Sequence, residues 1–207
     1  INLNSNNKIT KNLDFKKTDI NNNFIANLWN NYSIYFAQSI YQNYFSFFKS
    51  KQYKESFQKV IFPFIGKEFY FKSFGRKGFM ESQIIVPFDK TEIFIDEVES
   101  IYKKHDPLIT LYSLKNFKGE KENLRFEDNG ICFTFDLVNN SKNHFFLNEL
   151  DKVCEKYYLT PSIIKDTRLK LETIKSCYKD YNKFKEEIYK FDNKRIYKSA
   201  LSDKLMI

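Results

Sequence analysis

Hydrophobic and polar positions follow the periods of regular secondary structure from residue 81 onward. The segment ESQIIVP, residues 81–87, has the composition of a strand that is ended by its proline. Residues 89–104 predict a helix with one apolar face. That face consists of Phe94, Val98, Ile101 and Tyr102. Asp89 lies three residues before Glu92, so we expect a capping box with Asp89 as the N-terminal cap.

Four more segments complete an ordered set of elements. Residues 108–117 and 130–137 predict strands, residues 143–158 a helix, and residues 160–164 a short fourth strand. The apolar stripe of this second helix consists of Phe146, Leu150, Val153, Cys154 and Tyr157. The order β-α-β-β-α-β is that of the split βαβ arrangement. We therefore predict an α+β fold, with a four-stranded antiparallel sheet and both helices on one of its faces.

The two ends of the chain are predicted to lie outside this unit. Residues 1–59 form a lead-in, in which residues 1–23 are rich in Asn and Lys and residues 24–58 are aromatic and compatible with a helix. Residues 60–164 hold the sheet, and residues 165–207 form a mostly helical C-terminal segment. One apolar side of that last segment consists of Tyr181, Phe184, Ile188 and Phe191.

Side chains alternate between the two faces of a strand, which predicts a polar face on this sheet. In the third strand Ile131, Phe133 and Phe135 must meet the helices, so the residues between them point the other way. The polar set on that other face consists of Glu81, Gln83, Ser113, Lys115, Cys132 and Thr134. Two interpretations are open. An antiparallel sheet often has one face in water, whereas the presence of Ile85 and Phe117 in the set is more typical of a pocket.

Composition and charge argue against several classes of protein. The net charge is +8, but the lysines alternate with acidic residues, so we do not expect binding to nucleic acid. The three cysteines form no CxxC pair, so we expect neither a metal site nor a disulfide framework, and a cytoplasmic location fits best. No apolar run approaches the length of a membrane span. The aromatic stretch YSIYFAQSIYQNYFSFF leaves core packing, partner binding and peripheral membrane contact open.

The segment SIIKDTRLKLE, residues 162–172, places Lys165, Asp166 and Arg168 directly after two isoleucines. A solvated turn accounts for such a cluster, and so does a site that needs a fixed cation. We expect Asp166 and Arg168 to pin the turn by ion pairing.

Three stretches of the chain, in their order and spacing, resemble the FAD-dependent oxidoreductases of the vanillyl-alcohol-oxidase type. They are GRKGFMESQIIVP, the pair LYSLKNFKG and NGICFTFDL, and SIIKDTRL with the closing stretch that ends in KSAL. The branch that the chain resembles most is that of the decaprenylphosphoryl-ribose 2-oxidases, which are related to the aldonolactone oxidases. The resemblance extends from about Val60 to Leu205.

The resemblance implies a domain organisation. In that family an N-terminal domain binds FAD through a Gly-rich loop, a second domain covers the flavin, and the C-terminus returns to the first domain. This chain has only five glycines and no cluster of them. Residues 60–164 are then the substrate (cap) domain and residues 165–207 the returning segment, and we expect most of the FAD-binding domain to be missing here. The implied reaction is oxidation of a hydroxyl of a sugar, or of a polyprenyl-phosphate-linked sugar, by hydride transfer to FAD.

The resemblance also implies roles for single residues. Lys165 matches the family's lysine at the flavin and is the expected catalytic and cofactor-binding residue, because a fixed ammonium stabilises the negative charge that develops when a flavin accepts a hydride. Cys132 is the second expected cofactor contact. The expected substrate-binding residues are Glu81, Gln83, Lys115, Phe117 and Thr134. Glu81 stands where the family has glutamine, which leaves the substrate open. The alternative function is a non-catalytic α+β module that binds a partner through its aromatic stretch.

Overall fold

The computed structural model describes residues 26–48 and 68–207, and predictions for the remaining residues lie outside it. The strands are β1 (Phe79–Pro87), β2 (Ile109–Phe117), β3 (Gly130–Val138) and β4 (Thr160–Pro161). The helices in the described ranges are α1 (Asn31–Phe48), α2 (Glu68–Lys72), α3 (Thr91–His105), α4 (Ser141–Tyr157), α5 (Leu171–Cys177), α6 (Tyr181–Phe191) and α7 (Ala200–Leu205). None of these helices has both the length and the hydropathy that crossing a bilayer requires.

Neighbouring strands all run antiparallel, in the spatial order β2-β3-β1-β4. This confirms the predicted α+β fold with a four-stranded antiparallel sheet. The pairing of β1 with β3 runs from Phe79 opposite Val138 to Pro87 opposite Gly130. At that last pair the backbones approach so closely that a Cβ atom on Gly130 would lie 2.0 Å from the carbonyl oxygen of Val86. Only glycine therefore fits at the start of β3.

The main hydrophobic core lies between one face of the sheet and the helices α3 and α4. Phe133 of β3 contacts Phe94 of α3 with ring centroids 4.8 Å apart, and Phe135 contacts Phe146 of α4 at 5.9 Å. All four rings are buried. Burying each of these side chains stabilises the fold by about 1.5–3 kcal/mol. The prediction that both helices pack on one sheet face is confirmed.

Local hydrogen bonds set the starts of the two core helices, and one predicted cap is wrong. Asp89 is not the cap of α3, because the chain first forms a short 3-10 turn and the helix begins at Thr91 without a side-chain cap. The Thr91 hydroxyl instead donates to the carbonyl oxygen of Pro87 at 3.2 Å. In α4 the side chain of Asn140 is the cap, and it accepts from the backbone N–H of Asn143 at 2.9 Å.

The fourth strand is shorter than the predicted residues 160–164, since only the two residues of β4 pair with β1. The backbone N–H of Ser162 still donates to the Gln83 carbonyl at 2.8 Å. The N–H of Asp166 then donates back to the Ser162 carbonyl at 3.0 Å, which turns the chain. Lys165 therefore lies in a turn and not at the end of a strand.

The C-terminal segment packs on the same hydrophobic core as the sheet. Its residues in this core are Leu169, Ile174, Cys177, Tyr178, Tyr181, Leu205 and Ile207. The Tyr178 hydroxyl donates to the carbonyl oxygen of Pro161 at 2.6 Å, and the Tyr181 hydroxyl donates to that of Leu205. The four residues of the predicted apolar side all lie in α6, but that side is not buried along its whole length, and Phe191 is 80% exposed. The helix is anchored to the core at Tyr181, its first residue, and its last turn extends past the core.

A buried ion-pair cluster fixes the turn that follows β4. The Arg168 guanidinium donates to both carboxylate oxygens of Asp151 on α4, at 2.6 and 2.8 Å, and to Asp166 at 2.9 Å. The predicted ion pair between Asp166 and Arg168 is confirmed. Burial nevertheless raises the pKa of the Asp166 carboxyl above its ordinary value, against the opposing effect of Arg168. Because burial penalises these charges, each of them depends on its partner.

Replacing Arg168 with methionine should lower the free energy of unfolding by about 3–5 kcal/mol, because Asp151 and Asp166 would be left buried without their cation. Urea denaturation measures this change. Arg125 provides the matched control, since its guanidinium pairs with Glu127 at the surface and its side chain is 60% exposed. Arg125→Met should cost at most about 1 kcal/mol. Equal costs for the two variants would contradict the assigned role of Arg168.

Candidate functional site

The three long strands align polar side chains in rows across the sheet face that is opposite the helices. Residues directly paired across antiparallel strands share a face. The rows are Glu81–Asp136–Leu111, Gln83–Thr134–Ser113 and Ile85–Cys132–Lys115. The prediction that six polar residues share one face is therefore confirmed. We refer to these nine residues as the polar face.

Glu81 connects two of the expected site residues at the β4 side of the polar face. One of its carboxylate oxygens accepts a hydrogen bond from the Gln83 amide at 2.5 Å. The other lies 3.4 Å from the ammonium nitrogen of Lys165. The side chain of Lys165 is 51% exposed, whereas that of Glu81 is only 17% exposed. The ammonium group is thus held on one side by a carboxylate and remains accessible on the other.

A small cavity opens at this ion pair. Its volume is about 150 Å³, and it is lined by Phe79, Met80, Glu81, Lys165, Asp166, Thr167 and Arg168. The turn after β4 thus contributes to the cavity wall as well as to the core. Lys165 faces Glu81, while the next residue, Asp166, is buried and pairs with Arg168. The buried cluster around Arg168 therefore fixes the backbone position of Lys165.

Asp136 is a buried carboxyl that the expected site residues did not include. It accepts a hydrogen bond from the Tyr70 hydroxyl of α2 at 2.8 Å, and the same hydroxyl lies 2.9 Å from Oγ1 of Thr110. Burial raises the pKa of Asp136 to about 6; the charge of Glu81 adds to this rise, whereas the Tyr70 hydrogen bond and the two lysines of the site, Lys165 and Lys115, oppose it. A carboxyl with a pKa near neutrality is common in functional sites.

The sequence held a signal for Asp136, because the alternation that selects Cys132 and Thr134 also selects the residue two positions further on. It held no signal for Tyr70, which belongs to another element and reaches Asp136 only through the tertiary fold.

The centre of the polar face is buried. Cys132 and Thr134 are buried, and the Cys132 sulfur lies 3.9 Å from the Thr134 hydroxyl. Burial raises the pKa of the Cys132 thiol. The interpretation of this face as one that is simply solvated is therefore wrong for its central strand, because the β3 side chains at its centre are buried. Neither Cys132 nor Thr134 contributes to the wall of the 150 Å³ cavity.

The two other expected substrate residues lie on the far strand, β2. Lys115 is exposed, and the charge of its ammonium reaches as far as Asp136, whose pKa it lowers. Phe117, at the end of β2, contacts Phe126 with ring centroids 5.6 Å apart. The structure therefore brings together Glu81, Gln83 and Lys165, and it leaves Lys115 and Phe117 on β2, the edge strand at the far end of the sheet.

The described residues fit one part of an FAD molecule and not the other. An accessible ammonium beside hydrogen-bonding side chains suits the polar pyrimidine end of a flavin ring. The pyrophosphate is usually bound by successive backbone N–H groups of a Gly-rich turn at a helix N-terminus. The five glycines, which are Gly66, Gly75, Gly78, Gly119 and Gly130, are too dispersed to form such a turn. Any FAD bound here would need its phosphates held by another polypeptide segment.

Neither a scan of protein-family models nor a search of curated proteins returns a match to this chain.

The pH dependence of stability should report on Asp136. Its pKa of about 6 in the folded state exceeds the value of about 3.9 for an unfolded chain. The folded state therefore binds the proton more tightly, so this contribution to stability is complete below pH 4 and is lost as the pH rises through 6. The difference between the two pKa values corresponds to roughly 3 kcal/mol.

Asp136→Asn removes the titrating group and keeps an oxygen that can accept from Tyr70. Urea denaturation of both proteins at several pH values between 4 and 7 is the measurement. The variant should gain roughly 2 kcal/mol relative to the unmodified protein across this interval. A difference between the two proteins that does not change with pH would contradict the assignment.

Proposed function

We propose that this chain is the substrate-covering part of an FAD-dependent oxidoreductase, which oxidises a hydroxyl of a sugar or of a lipid-linked sugar. The observation that carries the proposal is the position of Lys165. Its ammonium group lies at the edge of the polar face, 3.4 Å from Glu81, and its side chain is half exposed. The segment around it, SIIKDTRL, also carries the resemblance to the FAD-dependent oxidases.

Lys165 and several residues of the polar face each have a part in this proposal. FAD, when bound, would supply the acceptor for a hydride from the carbon that bears the hydroxyl, and the hydroxyl proton would pass to a carboxylate of the site. Lys165 holds a fixed positive charge at the place where negative charge accumulates, and a preorganised charge of this kind needs no rearrangement during the reaction. Gln83 is oriented by Glu81 and donates to a hydroxyl of the sugar. Lys115 contacts the part of the substrate that extends across the sheet.

The buried carboxyl of Asp136 completes the set. With a pKa of about 6 it is mostly ionised at neutral pH and sits close to the value that suits a proton acceptor. Its hydrogen bond from Tyr70 keeps one carboxylate oxygen in place. In this proposal its negative charge offsets part of the positive charge of Lys165 and Lys115.

A specific observation favours a second candidate, the partner-binding module. Helix α1 contains no charged residue, although charged residues make up 29% of the chain. Several of its large apolar side chains are exposed, namely Tyr32, Tyr35, Phe36, Ile40 and Tyr41. The same helix, with α3 and β2, borders a cavity of about 390 Å³. Such a surface is typical of an interaction site. The flavin experiments below separate the two candidates, since a module without catalysis reduces no flavin.

Lys165→Ala should slow the reduction of bound flavin by substrate about 100- to 1000-fold in the full natural protein, because one preorganised charge is removed. Rapid mixing of the FAD-loaded protein with sugar substrate, without oxygen, measures this rate. The urea denaturation curve should hardly change, since the side chain is half exposed. Lys170→Ala is the matched control in the same segment, where the side chain is also exposed, and it should leave the rate unchanged. A normal rate in Lys165→Ala would refute the proposed role.

The chain of residues 1–207 alone should bind FAD weakly or not at all, because its dispersed glycines provide no turn for the pyrophosphate. Titration followed by flavin fluorescence tests this expectation. Tight, stoichiometric binding would show that the chain holds the whole cofactor, and the division of the enzyme into two parts would then be wrong.

A further inference from the structure

We propose that the group bound at the Lys165 end of the polar face is a neutral, hydroxyl-bearing sugar, and that Glu81 selects it against a phosphorylated sugar. This inference rests on the proposed function and adds the substrate class. It concerns the 150 Å³ cavity that is lined by Glu81, Lys165 and the turn 166–168. A cavity of this size, well below the volume of a drug-sized pocket, accepts one small group and not a whole lipid-linked molecule.

Every cation at the cavity already has a partner. Lys165 lies 3.4 Å from the Glu81 carboxylate. Arg168 donates to Asp151 and Asp166, and both carboxylates belong to the buried cluster. A phosphate is bound best where cationic donors are free to make charge-assisted hydrogen bonds. At this cavity a phosphate has to compete with a carboxylate for each cation.

The competition is most direct at Lys165, because its ammonium is the accessible one. A phosphate oxygen on the open side of this group would lie roughly 5–6 Å from the Glu81 carboxylate, since both anions would flank the same nitrogen. At that separation, repulsion between unit charges in a partly solvated site weakens binding roughly ten- to hundredfold. The carboxyl of Asp136 is the cross-strand neighbour of Glu81 and adds to the negative potential.

A neutral sugar meets none of this repulsion and uses the same groups. Its hydroxyls donate to the carboxylate oxygens of Glu81 and accept from the ammonium group of Lys165, so both members of the ion pair keep their charge and gain a hydrogen bond. The Gln83 amide donates to Glu81 at 2.5 Å and so helps to hold the carboxylate in place beside the cavity. Glu81 is therefore the residue that determines specificity here.

The test compares two probes that differ by one phosphate group, D-ribose and D-ribose 5-phosphate, at constant ionic strength. Each is titrated into the ¹⁵N-labelled protein, and the dissociation constant is taken from the shifts of backbone amide signals around residues 81–83 and 165–168. The variants are Glu81→Gln, which keeps the shape and removes the charge, and the control Glu149→Gln. Glu149 also accepts from a lysine, Lys152 at 2.7 Å, but it lies on α4 away from the cavity.

The unmodified protein and Glu149→Gln should prefer ribose, and Glu81→Gln should bind ribose 5-phosphate roughly ten- to hundredfold more tightly than the unmodified protein does. The spectrum of each variant shows directly whether it is folded. A preference of the unmodified protein for the phosphorylated sugar, or an unchanged preference in Glu81→Gln, overturns the proposal, and so does the absence of binding by either probe.

The same probes applied to the FAD-loaded full protein separate this inference from the function beneath it. Ribose preference with the expected Glu81→Gln change, but no flavin reduction by either sugar, would support the specificity of the site and refute the oxidoreductase. Flavin reduction with no effect of Glu81→Gln on the choice between the sugars would support the oxidoreductase and refute the role of Glu81.

Discussion

The register of β3 between β1 and β2 is the constraint on which both the core and the site depend. Because side chains alternate along a strand, a shift of one residue would exchange the two faces of the sheet. Phe133, Phe135 and Leu137 would then leave the helices, at about 1.5–3 kcal/mol for each lost burial. That sum approaches the total stability of an ordinary domain. The same register sets Asp136 opposite Glu81 and Thr134 opposite Gln83, so the arrangement of the polar face follows from the packing of the apolar one.

The turn after β4 fixes the position of Lys165 relative to the sheet. Arg168 ties the turn to α4 through Asp151, and the N–H of Ser162 ties its start to β1 through Gln83. Burial raises the pKa of Asp166, so the cluster is stable only as a complete set of partners. Two ion pairs thus start from residues 165–168. The pair of Arg168 with Asp166 is buried, and the pair of Lys165 with Glu81 is half exposed. The first fixes the backbone, and the second, between Lys165 and Glu81, leaves an ammonium group accessible.

Charge balance distinguishes this site from a simple cationic one. Two carboxyls face each other across β1 and β3, and two lysines, Lys165 and Lys115, lie on opposite sides of them. The charge of Glu81 raises the pKa of Asp136, because the two carboxyls lie opposite each other on the same face of paired strands. Such an arrangement suits a ligand that offers hydroxyl groups to both signs of charge. It is consistent with the proposed oxidation of a sugar, and the uncharged aromatic surface of α1 belongs to a separate region of the molecule.

Periodicity alone determined the order of elements, the helix layer and the two faces of the sheet, because these follow from local alternation and from the burial of apolar side chains. It also placed Glu81 and Gln83 on one face of the sheet, whereas Lys165 became a candidate for the same site only through the resemblance to the FAD-dependent oxidoreductases. It failed at the Asp89 cap and at the length of β4, where hydrogen bonds decide the outcome. Only the tertiary structure decided that Glu81 joins Gln83 to Lys165, that Tyr70 reaches Asp136, and that Cys132 is buried. These contacts join residues that are many positions apart in the chain, and no local pattern encodes the distance between them.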